Sequence, residues 1–551
     1  MGPVLSFGPM SDLSTPPAPP VTPRGDGSQP EPDQVQATSA YRPPWWVVGL
    51  VALVLLVGIV LRLHSASVLW LDEALTVNLA KLPINQLHGA LKRDGAPPLY
   101  YVLLHYWIQL FGDGPTAVRS LSAVFGLLAL PCAWWSGHRL GRSRGPAASR
   151  ITAWATVLIL ASSPYAIRYS TETRMYSLEI LLVLLGYLAL WRVLERPHIG
   201  RVAWLAVITG LLLYNQYWSL YLLAVVGAIL LVQIWRTTGE FRRAATAAAV
   251  GLVAGGITFV PWLPTFLYQS AHTGTPWGKP VLPPTGAAYA FLDFAGSNNA
   301  EMWVLVQLII VLLLLGVFAR AMSRNQLEVD LRTVPGARWE AFVAVVGMSV
   351  ALVLTEIAGS AVQGRYAAVF FPLFILVVGF AFTAFANVYV RTGLLVFVVA
   401  LGLRSGIRNF REQRSQAGQV AAQIRPSAKA GDVVGFCPDQ VGPSVSRLLP
   451  AGLQQSAFPN GQSPKYVNWV DYAKRNAAAS PDAFAKRLER LAGSTHTIWM
   501  VWSPGYLTFD AKCQQVVQAL RDDRPGVDLL QPDEGLFERE GLVRFAPKQT
   551  G

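Results

Sequence analysis

Long apolar runs with almost no charged residues alternate with short polar segments from about residue 45 to residue 404. A helix of roughly 20 apolar residues is long enough to cross a bilayer. The runs predict about eleven membrane-spanning helices, at 45–63, 117–138, 150–166, 175–194, 202–215, 217–235, 245–268, 302–320, 339–358, 366–385 and 388–404. The predicted fold class is therefore an α-helical polytopic membrane protein.

Arginine is concentrated in alternate segments between these spans, namely 139–150, 192–201, 236–243 and 320–338. Loops rich in Lys and Arg stay in the cytoplasm, so these segments and the N-terminus are expected on the cytoplasmic side. The opposite segments hold acids, aromatic residues, prolines and few cations: 64–116, 167–174, 269–301 and 359–365. An odd number of spans then predicts a multi-pass membrane protein whose C-terminal part is extracytoplasmic.

This pattern divides the chain into a tail at 1–44, a membrane domain at 45–410 and a C-terminal domain at 411–551. The tail is rich in Pro, Ser, Gly and acids, so it is predicted to be cytoplasmic and disordered. Alternating β-rich and helical runs predict a small α/β domain, Rossmann-like in shape, at the C-terminus. Its strands are expected at 432–436, 497–502 and 542–545, and its helices at 481–491 and 511–522.

Composition narrows the function classes. The chain is 52% apolar and carries a net charge of +13, much of which membrane orientation explains. No basic patch with interleaved aromatic residues is present, so nucleic acid is not an expected partner. No nucleotide-binding glycine motif and no metal-ligand spacing is present, so we expect no cofactor and no metal. Cys437 and Cys513 both fall in the C-terminal domain, and their pairing is left open.

The first outside segment contains a predicted amphipathic helix. Ile84, Leu87 and Leu91 recur at helical spacing, which is typical of a helix lying in the membrane interface. We expect Pro97-Pro98 to end it, because proline lacks an amide donor and restrains the residue before it. The aromatic residues that follow predict an interfacial belt, formed by Tyr100, Tyr101, His105, Tyr106 and Trp107.

Asp72 and Glu73 are the leading candidates for chemistry. They are adjacent carboxylates between apolar residues, directly after the first span, where desolvation is costly. The alternative is that Asp72 only caps the following helix. A site is favoured because the topology gathers other polar residues on the same face: Lys92, Asp94, Arg119, Arg168, Tyr169, Glu172, Arg174, Tyr176, Glu356, Gln363, Arg365 and Tyr366.

These residue types suit the transfer of a group from a lipid phosphate to an alcohol. Arginine stays charged and bonds phosphate oxygens bidentately. A nearby carboxylate serves as general base for an incoming hydroxyl. Tyrosine and tryptophan rings pack on sugar rings while donating hydrogen bonds.

Five motifs resemble the polyprenyl-phosphate-sugar-dependent glycosyltransferases of the GT-C superfamily. They are Asp72-Glu73, Pro97-Pro98-Leu99-Tyr100-Tyr101, Arg119-Ser120-Leu121-Ser122, Glu172-Thr173-Arg174-Met175-Tyr176-Ser177 and Gln363-Gly364-Arg365-Tyr366. The resemblance covers about residues 45–410 and is closest to the dolichyl-phosphate-mannose protein mannosyltransferase type, family 39, in its bacterial form. Residue usage resembles that of actinobacterial members.

The resemblance implies roles for individual residues. Asp72 matches the catalytic aspartate, the base of an inverting single-displacement transfer, and Glu73 matches its neighbour, which helps to position substrate. The donor phosphate is expected at Arg119, Arg365 and Arg174. The residues expected to bind substrate are Asp94, Tyr100, Tyr101, Glu172, Tyr176, Gln363 and Tyr366. Many relatives have His before the prolines where this chain has Ala96, so His88 or His105 would have to substitute.

Structural alternatives exist for the charged candidates. Arg119 and Arg365 also suit helix anchors at the lipid headgroups. Glu172 and Arg174 also suit an ion pair that only fixes geometry.

The resemblance implies a glycosyltransferase that moves a sugar from a polyprenyl-phosphate donor to an envelope glycan or lipoglycan, on the outer face of the plasma membrane. A Ser or Thr of a protein is the second candidate for the acceptor. Mannose is the first expectation for the sugar and arabinofuranose the second. A non-catalytic transporter or flippase for a lipid-linked saccharide is the competing class, and it predicts charges at the bilayer midplane and two related halves. A structural scaffold is the third class, and it would not need Asp72.

Overall fold

The structure is a computed structural model that describes residues 44–296, 300–333 and 336–548. The predicted N-terminal tail, except for Pro44, lies outside these residues. The α-helices of the membrane domain are α1 (Trp45–Leu63), α2 (Leu71–Ala80), α3 (Ile84–Asp94), α4 (Leu99–Phe111), α5 (Pro115–Gly141), α6 (Pro146–Ser162), α7 (Pro164–Ser170), α8 (Tyr176–Glu195), α9 (Ile199–Asn215), α10 (Ser219–Arg236), α11 (Gly239–Ile257), α12 (Leu263–His272), α13 (Pro283–Phe294), α14 (Ala300–Phe318), α15 (Arg338–Ile357), α16 (Phe371–Ala381) and α17 (Val388–Arg411).

Every predicted span falls on one of these helices or on two consecutive ones, as 150–166 does on α6 and α7. Seven helical segments of the described chain are long and apolar enough to cross a membrane, and three shorter apolar helices accompany them at Ile199–Asn215, Met302–Phe318 and Phe371–Ala384. The seventh predicted span is interrupted by a 3₁₀ turn at Val260–Trp262 between α11 and α12. Pro261 and Pro264 lie at this break, where each removes a backbone donor. The polytopic α-helical fold is therefore confirmed.

Small residues allow the central helices to approach closely. A Cβ on Gly141 of α5 would lie 2.6 Å from the carbonyl oxygen of Ala148 on α6. A Cβ on Gly379 of α16 would lie 2.2 Å from the Thr156 hydroxyl of α6. Since lipid supplies no hydrophobic drive between helices, such close packing is the main source of their association.

The helix predicted from Ile84, Leu87 and Leu91 is present as α3, but it ends earlier than expected. Its last turn is closed at Gly95, whose φ of +89° is left-handed and whose N–H donates to the Leu91 carbonyl at 2.9 Å. Glycine adopts this conformation without a Cβ penalty, so it stops the helix before the prolines are reached. The expectation that Pro97-Pro98 ends the helix was wrong.

The C-terminal region consists of a five-stranded sheet with helices around it. Its elements are α18 (Ala417–Ile424), β3 (Val433–Cys437), α19 (Gly442–Ser446), β4 (Gln454–Ala457), α20 (Tyr472–Ala477), α21 (Pro481–Ala492), β5 (Ile498–Trp502), α22 (Lys512–Asp523), β6 (Gly526–Leu530) and β7 (Gly541–Phe545). β1 (Ala319–Ser323) and β2 (Gln326–Val329) form a separate hairpin in the membrane domain.

The sheet has the strand order β4-β3-β5-β7-β6. β3 pairs in parallel with β4 and β5, but β7 is antiparallel to both β5 and β6. The three predicted strands and two predicted helices are confirmed. The Rossmann-like expectation holds only for the parallel half, because the β6–β7 pair adds an antiparallel half. Both strands missed by the sequence pattern, β4 and β6, lie at the sheet edges, and each contains exposed or half-buried residues, unlike the fully buried β3.

A disulfide between Cys437 at the end of β3 and Cys513 in α22 joins the sheet to a covering helix. Cys132 is a buried free cysteine in α5. The pairing that the sequence left open is thus made in the structure.

We expect the double variant Cys437→Ala, Cys513→Ala to destabilise the C-terminal region by about 2–4 kcal/mol, because the bridge closes a long loop in the unfolded chain. The measurement is the thermal unfolding midpoint of the purified full chain, with and without reductant. Wild type in reductant should match the double variant. Alkylation of Cys437 and Cys513 in native, unreduced protein would contradict the bridge.

Candidate active site

The two adjacent acids lie in the first turn of α2. Asp72 is the second and Glu73 the third residue of this helix, where the helix dipole favours negative charge. Glu73 is fully buried, whereas Asp72 is only partly buried. The two side chains therefore have different surroundings and different partners.

Glu73 forms a buried bidentate ion pair with Arg119 of α5. Arg119 Nε and Nη2 donate to the two Glu73 carboxylate oxygens at 2.8 and 2.6 Å. The Thr173 amide also donates to Glu73, at 3.0 Å. Burial by itself would raise the pKa of Glu73, but the charge and hydrogen bonds of Arg119 outweigh it and hold the pKa below its usual range. Glu73 is therefore an ionised anchor for α2.

The remaining donors of Arg119 are largely used by the backbone. Its Nη1 donates to the Ser67 carbonyl at 2.7 Å and its Nη2 to the Val68 carbonyl at 3.1 Å. Arg119 thus fixes both α2 and the segment that leads into it. The expected role of Arg119 in binding the donor phosphate stays a prediction.

Glu172 belongs to the same buried charge cluster. Arg168 Nε lies 3.2 Å from Glu172 Oε2, and Arg414 Nη1 lies 3.8 Å from the same oxygen. Arg414 also donates to the Thr171 carbonyl and hydroxyl, at 3.0 and 2.8 Å. Glu172 is therefore ion-paired, but its partners are Arg168 and Arg414. The predicted pairing with Arg174 is wrong.

Asp72 faces the cations that Glu73 leaves untouched. Arg365 Nη2 lies 3.2 Å from Asp72 Oδ2, and the Arg365 guanidinium lies 5.5 Å from the Trp70 ring. Arg174 Nη1 donates to the Thr76 hydroxyl at 3.0 Å and to the Tyr101 hydroxyl at 3.3 Å. Within the part of the chain that the structure describes, Nε of both arginines is buried without a hydrogen-bond partner. Two cations with unused donors therefore lie beside one partly buried carboxylate.

Asp94 and Tyr101 join this cluster from the first outside segment. The Tyr101 hydroxyl donates to Asp94 Oδ2 at 2.7 Å while it accepts from Arg174. Burial raises the pKa of Asp94, although the charge of Arg174 and the bond from Tyr101 oppose the shift. Tyr100 is buried too, with its hydroxyl 2.7 Å from Ser122 Oγ. The expected interfacial position was therefore wrong for Tyr100 and Tyr101, which face the interior.

The aromatic candidates line the same region. The Tyr176 hydroxyl is buried and, among the described residues, has no hydrogen-bond partner. The Tyr366 ring lies 5.7 Å from Trp218, and its neighbour Arg365 lies 5.9 Å from it. Gln363 precedes the 3₁₀ turn Gly364–Val369 that carries both. Their expected contacts with substrate stay predictions.

The C-terminal region completes the surroundings of α2, which the sequence did not indicate. Phe537 packs edge-on against Trp70 at 5.0 Å, and the Leu71 amide points to the Glu538 carboxylate. Trp70 itself supplies no side-chain cap, so Glu538 accepts at the start of the helix that carries Asp72. Glu538 and Glu540 share the Ser444 hydroxyl, at 2.9 and 3.4 Å.

The other end of α2 is held by the same region. Asn78 donates to the Lys465 carbonyl at 2.8 Å, and Arg447 donates to Asn78 at 3.1 Å. The residues that sequence reasoning missed are therefore Arg414, Glu538, Glu540 and Arg447. No local pattern marks them, because their importance depends on contacts with residues far away in sequence.

Neither histidine named as a substitute binds Asp72. His88 bonds the Thr265 hydroxyl at 2.8 Å, and His105 bonds the Ala80 carbonyl at 2.7 Å. In residues 44–296, 300–333 and 336–548, no group of three or more His, Cys, Asp or Glu is arranged to hold a metal ion.

Solved structures with a similar fold include ArnT from Cupriavidus metallidurans. Its apo crystal structure aligns with a TM-score of 0.56 at 14% identity, over 91% of this chain and 98% of that chain. ArnT bound to undecaprenyl phosphate aligns with a TM-score of 0.51 at 14% identity, over 91% of this chain and 98% of that chain. No family model and no curated protein matches the chain. The likeness confirms the expected GT-C fold of a membrane protein, while the mannosyltransferase branch stays a prediction.

We expect Glu73→Ala to lower the free energy of unfolding by about 3–5 kcal/mol, because it leaves the buried Arg119 charge unpaired. Asp528→Ala is the matched control, since it removes a half-exposed ion pair with Arg521, worth at most about 1 kcal/mol. Thermal unfolding of the two purified variants measures the difference. Equal losses would contradict the anchoring role of Glu73.

A second prediction concerns pH. Burial raises the pKa of Glu538 to about 8 and that of Glu540 well above its usual range, the latter also through the charge of Glu538. A raised pKa in the folded state stabilises the fold at low pH, and this stability is lost as the pH rises through about 8. The unfolding midpoint should therefore fall between pH 6 and pH 9, and it should fall less in Glu538→Gln. Glu534→Gln, an exposed acid of the same segment, should follow wild type.

Proposed function

We propose that this protein is a glycosyltransferase that moves a sugar from a polyprenyl-phosphate donor to a hydroxyl of its acceptor. The observation that carries the proposal is one partly buried carboxylate, Asp72, beside two arginines with unused donors, Arg365 and Arg174. The fold likeness to ArnT, which has been crystallised with undecaprenyl phosphate, supports a polyprenyl phosphate as the lipid.

Asp72 is the base in this proposal. Its carboxylate takes the proton of the acceptor hydroxyl, and the acceptor oxygen attacks the anomeric carbon of the sugar. The bond from that carbon to the phosphate oxygen breaks, and the electron pair leaves with the polyprenyl phosphate. A single displacement of this kind inverts the configuration at the anomeric carbon. The neighbouring Glu73 cannot serve as this base, since both its oxygens already accept from Arg119.

Arg365 and Arg174 bind the donor phosphate. The leaving phosphate gains negative charge, which guanidinium groups stabilise most strongly when they are already in place. Arg365 Nη2 lies 3.2 Å from Asp72 Oδ2, so the incoming phosphate competes with the carboxylate for the same cation. We assign Arg119 to positioning, because a phosphate contact would require it to release Glu73 or a backbone carbonyl.

The substrate surface consists of the tyrosines and amides around this pair. Tyr101, Tyr176 and Tyr366 pack on the sugar or donate to it. Asp94, Gln363 and the more deeply buried Tyr100 and Glu172 shape or support that surface. We propose mannose as the sugar, with arabinofuranose as the second candidate, and an envelope glycan or lipoglycan as the acceptor. The reaction takes place on the outer face of the plasma membrane.

The proposal predicts that Asp72→Asn lowers transfer by about 10²–10⁴-fold, because the amide cannot accept the proton. The measurement is transfer of radiolabel from polyprenyl-phosphomannose to envelope acceptors in membranes that hold equal amounts of each protein. Arg365→Gln should raise the KM for the donor as well as lower kcat, since it removes a contact to the phosphate.

The outcomes separate the steps of the proposal. Wild type that transfers nothing from polyprenyl-phosphomannose, but does transfer from polyprenyl-phosphoarabinose, would overturn only the sugar. Activity of Asp72→Asn equal to that of wild type would overturn the base. Wild type that fails with both donors would remove the support for a glycosyltransferase.

A further inference from the structure

A large apolar cavity lies between α8, α9, α10, α11 and α15, and its mouth is at the end of the bundle far from Asp72. Its volume is about 1110 Å³, slightly above the usual range of small-molecule sites. α8 begins at Tyr176 in the candidate active site and ends at Glu195 beside the cavity mouth. At a rise of about 1.5 Å per residue, Glu195 lies roughly 30 Å from Tyr176, whereas Val183, the lining residue of α8 nearest to Tyr176, lies about 10 Å from it. The mouth of the cavity and the candidate active site therefore lie at opposite ends of α8.

The walls of the cavity are apolar along most of the depth of the bundle. They include Leu190, Ile208, Leu212, Val226, Leu230 and Val343. These residues lie on membrane-spanning helices, so the walls are suited to hydrocarbon chains rather than to a polar metabolite. An apolar cavity of this length fits the acyl chains of a lipid.

The mouth of the cavity is rich in arginine. Arg196, Arg236, Arg243 and Arg338 line it, one from each of four helix ends. The acids at the same level are Glu195, which already forms an ion pair with Arg139 at 2.7 Å, and Glu240. Basic pockets between membrane helices on the cytoplasmic side bind anionic lipid headgroups. The arginine-rich segments predict that this end faces the cytoplasm.

One buried acceptor atom in the cavity wall has no hydrogen-bond partner among the described residues. Glu340, in the first turn of α15, is 4% exposed and lines the cavity. Its Oε1 accepts from the Tyr187 hydroxyl at 2.9 Å, while its Oε2 has no hydrogen-bond partner among the described residues. A buried carboxylate oxygen without a partner is costly, so a ligand that donates a hydrogen bond there would be favoured.

From these observations we propose that the cavity binds one anionic phospholipid whose headgroup carries a hydroxyl, as phosphatidylglycerol does. The acyl chains fill the apolar interior, the phosphate lies among the four arginines, and the headgroup hydroxyl donates to Glu340 Oε2. This site does not depend on the glycosyltransferase proposal, because it shares no residue with the candidate active site.

The test titrates purified full-length protein in neutral detergent with phosphatidylglycerol, phosphatidylmethanol or phosphatidylcholine of the same acyl chains. Native mass spectrometry counts bound lipids, and the unfolding midpoint gives the affinity. We expect one phosphatidylglycerol per chain, weaker binding of phosphatidylmethanol, which has the charge but no hydroxyl, and no saturable binding of phosphatidylcholine. Equal binding of phosphatidylcholine would overturn the proposal, and equal binding of phosphatidylmethanol would overturn the role of Glu340.

Variants place the lipid in the cavity. Arg243→Gln should weaken phosphatidylglycerol binding about fivefold, as expected for one cation near an anionic headgroup. Arg242→Gln is the matched control, because Arg242 is the exposed neighbour of Arg243 and does not line the cavity. Glu340→Gln should abolish the preference for phosphatidylglycerol over phosphatidylmethanol.

One result would place the lipid outside the cavity, and another would assign the cavity to a different lipid. Equal effects of Arg242→Gln and Arg243→Gln would place the binding outside the cavity. Displacement of phosphatidylglycerol by undecaprenyl phosphate, at one molecule per chain and with the same sensitivity to Arg243→Gln, would assign the cavity to the polyprenyl chain instead.

Discussion

The buried ion pair between Glu73 and Arg119 is the constraint on which the candidate site depends. Two buried charges are tolerated only because nearly every polar atom of both side chains has a hydrogen-bond partner. These partners include two backbone carbonyls, which accept from Arg119, and one backbone amide, which donates to Glu73. This arrangement fixes the first turn of α2 in position and orientation. Asp72, one residue earlier, then points in a different direction, where Arg365 is its partner. Neighbouring acids thus acquire opposite tasks from their surroundings.

Support for α2 comes from both parts of the molecule. Arg414 extends the charge cluster to Glu172 from the segment that joins the membrane helices to the C-terminal sheet. Glu538 accepts at the start of α2, and Arg447 and Lys465 hold its last turn. The C-terminal region is therefore part of the framework of the site.

Much of the fold could be read from the sequence, because long apolar runs and arginine-rich loops are strong local signals. Asp72 and Arg365 came together as expected from topology alone. The sequence could not show which of the two acids anchors α2 and which stays accessible. Asp72 and Glu73 are adjacent, and they differ only in the partners that packing gives them. Glu538 and Arg414 were missed because each acts through residues far away in sequence. The sequence predicts an interfacial belt for Tyr100 and Tyr101, but the structure buries both. Their hydroxyls can be buried because Ser122 and Asp94 bond them, and residue spacing does not reveal these partners.

The capping of α2 by Glu538 has a consequence for biosynthesis. A ribosome makes residue 72 early and residue 538 only after every helix from α1 to α17 has been translated. Until the C-terminal sheet has folded, the first turn of α2 lacks its acceptor. The arrangement around Asp72 is therefore completed at the last stage of assembly, so half-made chains in the membrane hold an unfinished site.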